Sequence, residues 1–211
     1  MKKIIITLAL VAVLSNVKSQ LPFNLGVKVG FNSTKMITEL KNVNDISEEA
    51  KLGYLAGAFV RINLPKIYLQ PEIYYTKKAG DYQTATIPQF QNQTFTQKTI
   101  LNSIDVPLLI GVKLLDLKVS NIRLMTGPVA SFVTSKDVNY EVNGINIGSL
   151  PSTDLGKYNN INWAIQAGAG IDVMNFTLDV RYEWGINNIS DVADMNVKSK
   201  LLNVSIGMKL F

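Results

Sequence analysis

The stretch Asn162 to Trp184, NWAIQAGAGIDVMNFTLDVRYEW, decides the fold. From Trp163 the apolar residues take every second position, Trp163, Ile165, Ala167, Ala169, Ile171 and Val173, against Asn162, Gln166, Gly168, Gly170 and Asp172. After Met174-Asn175 the alternation restarts as Phe176, Leu178, Val180, Tyr182 and Trp184 against Thr177, Asp179, Arg181 and Glu183. Period 2 is the spacing of a strand with two unlike faces, and a two-residue break reads as a hairpin turn.

The same pattern recurs in Leu25–Phe31, Leu52–Ile62, Ile67–Tyr75, Ile104–Leu114, Ile122–Phe132 and Leu202–Leu210, which makes eight strands. Most approach the roughly 9–11 residues that a tilted membrane strand needs. Tight turns join them around 63–66, 115–117 and 174–175, and long polar connections lie at 34–51, 79–98, 136–157 and 187–198. Short and long connections alternate, as in an up-and-down outer-membrane barrel with short periplasmic turns and long outer loops. The expected fold is all-β, an eight-stranded antiparallel up-and-down transmembrane β-barrel.

Alternation alone also fits a soluble, lipocalin-like barrel, in which the apolar face points inward. Three features place the apolar phase outside. Glycine crowds the other phase at Gly26, Gly30, Gly57, Gly111, Gly127, Gly168, Gly170 and Gly207, which suits a narrow interior. That phase also carries Lys28, Arg61, Lys113, Arg123 and Arg181 against Glu72, Asp105, Asp172, Asp179 and Glu183, a balanced set for a lumen in which buried charges must pair. Phe31, Tyr54, Tyr75, Phe132, Trp163 and Trp184 fall near the long-loop ends of the segments and read as an aromatic girdle at one interface. Pro71, Pro107 and Pro128 oppose a closed barrel, which has no free edge for a missing N–H, and lead to an expectation of bulges.

The N-terminus, Met1-Lys2-Lys3 followed by the apolar Ile4–Leu14 and by Val17 and Ser19, has the form of a secretory signal peptide cut before Gln20. The expected organisation is residues 1–19 as signal and 20–211 as barrel domain, located in the cell outer membrane. Loss of Lys2, Lys3 and Lys18 lowers the formal charge from +5 to +2, so nucleic acid is not an expected partner. Outer-membrane lipid is, together with other envelope or extracellular proteins at the long loops.

Several short motifs add a resemblance. Leu69–Tyr75 (LQPEIYY), Ile104–Leu109 (IDVPLL), Gly127–Ser131 (GPVAS), Gly168–Asp172 (GAGID) and Arg181–Asn188 (RYEWGINN), with the opening Gly26–Ser33 and the closing Asn203–Phe211, resemble the PorT-like outer-membrane β-barrel family of Gram-negative bacteria. The resemblance spans nearly the whole mature chain. It implies an outer-membrane barrel of small, OmpX-like build in which strand prolines recur. It implies no single function, since only the namesake is tied to a protein-secretion system. Phe211 departs from the pattern, being out of phase with the apolar face.

Chemistry is sparse. The chain has no Cys and no His, which removes thiolate metal sites, Cys nucleophiles and the commonest general base. Asp179, Arg181 and Glu183 with Asp172 read as a structural lumen network, and Glu39, Asp45, Glu48 and Glu49 as a solvated loop whose spacing matches no calcium loop. The expectations are no enzyme activity, no cofactor and no metal, with the long loops as interaction, adhesion or scaffold surfaces. A secretion accessory resembling PorT, a narrow solute channel and a soluble ligand-binding barrel are the rival readings. Envelope protein extracted with detergent is expected to begin at Gln20 on N-terminal sequencing; a start at Met1 would remove the signal reading.

Overall fold

The computed structural model describes residues 23–40, 46–87, 93–117, 119–142, 145–148, 161–187 and 195–210. The expected signal peptide and its cleavage point lie outside them. The strands are β1 (Phe23–Leu40), β2 (Ile46–Asn63), β3 (Ile67–Ile87), β4 (Gln93–Asp116), β5 (Ser120–Val142), β6 (Ile145–Gly148), β7 (Ile161–Val173), β8 (Phe176–Gly185) and β9 (Met195–Lys209). Eight of them close into one antiparallel ring in the order β4-β3-β2-β1-β9-β8-β7-β5, sealed by β4 against β5. The four-residue β6 is a lip on β5, paired only at Tyr140–Val142. The barrel with its apolar phase outward is the fold, and the lipocalin-like inversion is excluded: Val29, Ile73, Ile110, Ile165 and Val180 are exposed while Lys28, Glu72 and Arg181 are buried.

Three features differ from the sequence expectation. First, much of the expected loop sequence is strand. β3 and β4 pair from Ile67↔Val112 up to Thr84↔Phe95, and β4 and β5 continue to Phe95↔Val142. The sequence of these segments has no apolar period to mark a strand; Thr, Tyr and Val supply the β propensity there. Second, the prolines cause no register shift. The β2–β3 ladder skips from Phe59↔Glu72 to Ile62↔Leu69 around Pro71 and resumes in register. The β3–β4 ladder skips between Pro71↔Leu108 and Tyr74↔Asp105 beside Pro107, and the β4–β5 ladder between Pro107↔Val129 and Ile110↔Thr126 beside Pro128. Each missing N–H removes one local set of bonds while the neighbouring pairs hold the alignment.

Third, the bulges sit elsewhere. One lies at Ala50/Tyr54 between β2 and β3, and another at Asn102/Ser103 in the β4–β5 ladder, where Thr134 Oγ1 donates to the Asn102 carbonyl at 3.1 Å. Because these strands are longer than expected, the aromatic row lies partway along β1, β2, β3 and β5 rather than at their ends. Phe31 stands opposite Tyr54, whose ring is 6.3 Å from that of Tyr75, and only Trp163 and Trp184 lie within two residues of their strand ends.

Val180 lies midway between Trp184 and the Met174-Asn175 turn and faces outward. Val180→Arg is expected to cost about 2–4 kcal/mol in urea unfolding from phospholipid vesicles, and Ile165→Arg, level with Trp184, clearly less. Asp137→Arg, exposed above the aromatic row, should change little.

Candidate functional site: a charged lumen

The inward phase builds one continuous polar chain through the barrel. At its centre Arg181 grips Glu72 with both guanidinium nitrogens, Nη1 to Oε2 and Nη2 to Oε1, each at 2.8 Å, and Nη2 also reaches Asp179. This two-pronged geometry orients both groups as well as neutralising them. Lys28 Nζ donates to Glu72 Oε2 at 2.7 Å. Lower down, Arg61 Nη1 donates to Asp172 Oδ2 at 2.6 Å, and Arg123 Nη2 lies 2.8 Å from both Asp172 and Asp179. Lys209, half-buried, approaches Asp172 at 3.5 Å. Higher up, Lys78 Nζ lies 3.1 Å from Asp105 and 3.5 Å from Glu183. Gln166 joins the levels, donating to Glu183 at 3.0 Å and accepting from Arg181 at 3.4 Å.

Every strand of the ring contributes a charge to this chain: Lys28 from β1, Arg61 from β2, Glu72 and Lys78 from β3, Asp105 from β4, Arg123 from β5, Asp172 from β7, three residues from β8 and Lys209 from β9. Aromatic rings pack between them. The Arg61 guanidinium lies 5.2 Å from the Tyr68 ring centre and that of Arg123 lies 5.6 Å from it. Leu109 and Met125 fill the β4–β5 side beside Tyr68. Glycines make the room: a Cβ on Gly170 would land on the Asp179 carboxylate and the Arg123 guanidinium, and one on Gly111 on the Tyr68 ring. The void among Lys78, Ser103, Ser131 and Glu183 holds about 20 Å3, enough for one water.

Nine of the ten charged residues expected in the lumen are buried in it; Lys113 is the exception. It is half-buried beside Arg123 at the turn end of β4, where the ring opens and the ladder shifts between Lys113 and Leu115. Lys78 takes its place among the buried cations, so the balance of five and five remains. The apolar alternation of β3 ends at Tyr75, yet its inward phase of Tyr68, Gln70, Glu72 and Tyr74 continues through Thr76 to Lys78. The six aromatic residues Phe31, Tyr54, Tyr75, Phe132, Trp163 and Trp184 are all exposed on the outer wall. The side chains of Glu39, Asp45, Glu48 and Glu49 lie outside the described residues. Among the described residues no three acidic side chains are grouped to hold a metal ion.

A wall that is apolar outside and a lumen that is charged and packed are what a lipid-spanning barrel requires. Residues 15–191 match the family of outer membrane protein beta-barrel domains. The chain belongs to that family. It is an integral protein of the outer membrane. No curated protein matches the chain. Among solved structures, the outer membrane protein OprG from Pseudomonas aeruginosa is similar over 89% of this chain and 95% of its own, with 9% identity and a TM-score of 0.51. Neisserial surface protein A is similar over 88% and 97%, with 16% identity and a TM-score of 0.42. Ail, the attachment invasion locus protein of Yersinia pestis, solved with the heparin analogue sucrose octasulfate, is similar over 89% and 99%, with 10% identity and a TM-score of 0.40. At these identities the likeness is one of fold.

Arg181→Met leaves Glu72 and Asp179 with one cation too few and is expected to cost about 3–5 kcal/mol in detergent unfolding. Adding Asp179→Asn returns the buried set to four cations and four carboxylates, so the double variant should recover part of that loss. A double variant as unstable as the sum of the two single ones would show that charge balance is not what the lumen needs.

Proposed function

We propose that this protein works through the part that stands beyond the aromatic row, as an interaction, adhesion or scaffold surface for other envelope or extracellular proteins, with the barrel as a closed anchor. The observation that carries this reading is the filled lumen. Arg61, Arg123 and Arg181 are 2% exposed or less, and each is held by carboxylates across the barrel. A group so held cannot step aside for a solute without leaving its partners unpaired in a dry interior. The strands meanwhile continue well past the aromatic row, to Ile87 in β3 and Val142 in β5, with a sequence rich in polar residues. In this reading the lumen charges are structural, the outer aromatic residues are interface anchors, and no residue is catalytic or binds a cofactor.

The PorT-like motifs support a narrower version in which the partner is a subunit of a secretion assembly. Removal of residues 1–19 and export of 20–211 as the barrel belong to the same reading. Two measurements test it. Purified protein in a planar bilayer is expected to give no steady conductance; reproducible open-channel steps after removal of contaminating porins would favour transport. Pull-down from detergent-solubilised membranes is expected to retain envelope or extracellular proteins, and to lose them when residues 79–98 are replaced by a short turn. Retention unchanged by that replacement would move the surface away from the far end of the β3–β4 pair.

A further inference from the structure

The balance of five cations and five carboxylates is struck by the fully buried groups of the lumen. Lys113 and Lys209, both half-buried, come on top of it, and both stand at the short-turn end. Arg61 lies two residues from the end of β2, Lys113 and Arg123 lie three from the turn ends of β4 and β5, and Lys209 closes β9. Four strands thus bring a cation to one mouth of the ring. Among the described side chains, the carboxylates that meet them are Asp172, one residue from the end of β7, and Asp179 above it, which Arg181 also holds. Asp172 alone is approached by three cations: Arg61 at 2.6 Å and Arg123 at 2.8 Å on its two oxygens, and Lys209 at 3.5 Å.

Two further observations show that this end is short of anions. Lys113 stands directly opposite Arg123 in the β4–β5 ladder. Like charges facing each other across a ladder repel, and an anion between them relieves this. The arginines also have donors to spare. Arg61 Nη2 and Arg123 Nε, on side chains no more than 1% exposed, have no hydrogen-bond partner among the described residues. A buried guanidinium N–H without an acceptor costs free energy that an oxyanion recovers.

We propose that the short-turn mouth binds a small soluble oxyanion, of the phosphate or carboxylate class. Lys113 and Lys209 reach it from opposite sides, β4 and β9 being four steps apart round the ring in either direction, and Arg61 and Arg123 behind them supply the potential. A narrow mouth with low-dielectric walls focuses a field of one sign on its entrance. The occupant is a solute rather than a lipid headgroup because all four cations belong to the inward phase, while their neighbours Val112, Leu124 and Met208 face out. The wall stands between a lipid phosphate and the site. The lumen stays closed, since the Arg61–Asp172 bridge joins β2 to β7 across the barrel and the anion stops below it. The site is separate from the loop-surface reading, which concerns the other end.

The chain has three arginines, all in the lumen, so their side-chain N–H signals can be assigned one by one. Nitrogen-15-labelled protein in phosphatidylcholine nanodiscs would be titrated at neutral pH with inorganic phosphate, and in parallel with chloride at equal ionic strength. The expected result is a saturable shift of the Arg61 and Arg123 Nε–H signals in phosphate alone, with the Arg181 signal unmoved. Lys113→Gln with Lys209→Gln is expected to weaken phosphate binding at least about tenfold, since two charge-assisted contacts go. Lys200→Gln, exposed on the outer wall opposite Trp184, should change it less than about twofold. An unchanged Arg181 signal reports that each variant is folded, and Lys209→Gln alone serves the same comparison, with a smaller loss, where the double variant loses that signal. Shifts that do not saturate, that chloride reproduces, or that persist at full affinity in the folded lysine variants would overturn the proposal. The same shifts on replacing phosphatidylcholine with phosphatidylglycerol, without added phosphate, would make a lipid headgroup the occupant and overturn it as well.

Discussion

A sheet closed in lipid turns its polar side chains onto one another, and in this barrel everything else follows from having to neutralise them there. The lumen of eight strands has little room for water, so each buried charge must find its counter-charge across the barrel. Five cations and five carboxylates meet that demand. The network is also what pins the ring, since Glu72 on β3 is held by Lys28 from β1 and Arg181 from β8.

That constraint orders the remaining features. Gly170 and Gly111 are small because an arginine head and a tyrosine ring take the space their side chains would need. Leu109 and Met125 pack beside Tyr68 on the β4–β5 side of the lumen. The prolines on β3, β4 and β5 interrupt hydrogen bonds locally, yet the paired residues on either side hold the alignment. With the middle of the barrel committed to closure, the ends are left to meet the surroundings. One end rises as paired strands above the aromatic row and the other closes in apolar turns.

Much of the lumen was legible before the structure, because strict alternation assigns each residue a face once one face is known. Lys28, Arg61, Glu72, Asp105, Arg123, Asp172, Asp179, Arg181 and Glu183 all follow from that rule. It fails where a strand's end is misjudged. Lys78 lies three residues past Tyr75 next to another lysine, in a polar stretch that reads as loop, and Lys113 lies where the barrel mouth opens although its phase is inward. The upper segments of β3 and β4 carry no such signal for a related reason: apolar and polar residues do not alternate there, so period 2 marks neither strand nor face.

The sequence by itself determined the class of fold, the number of strands in the ring, the position of the tight turns and the face of almost every residue between them. These depend on local period and on turn chemistry, both carried by neighbouring residues. Only the tertiary structure decided which carboxylate each cation holds, that Lys78 replaces Lys113, and that the prolines need no bulge. Those outcomes depend on the register of strands far apart in the chain, such as β3 and β8, which lie near each other only because the sheet closes.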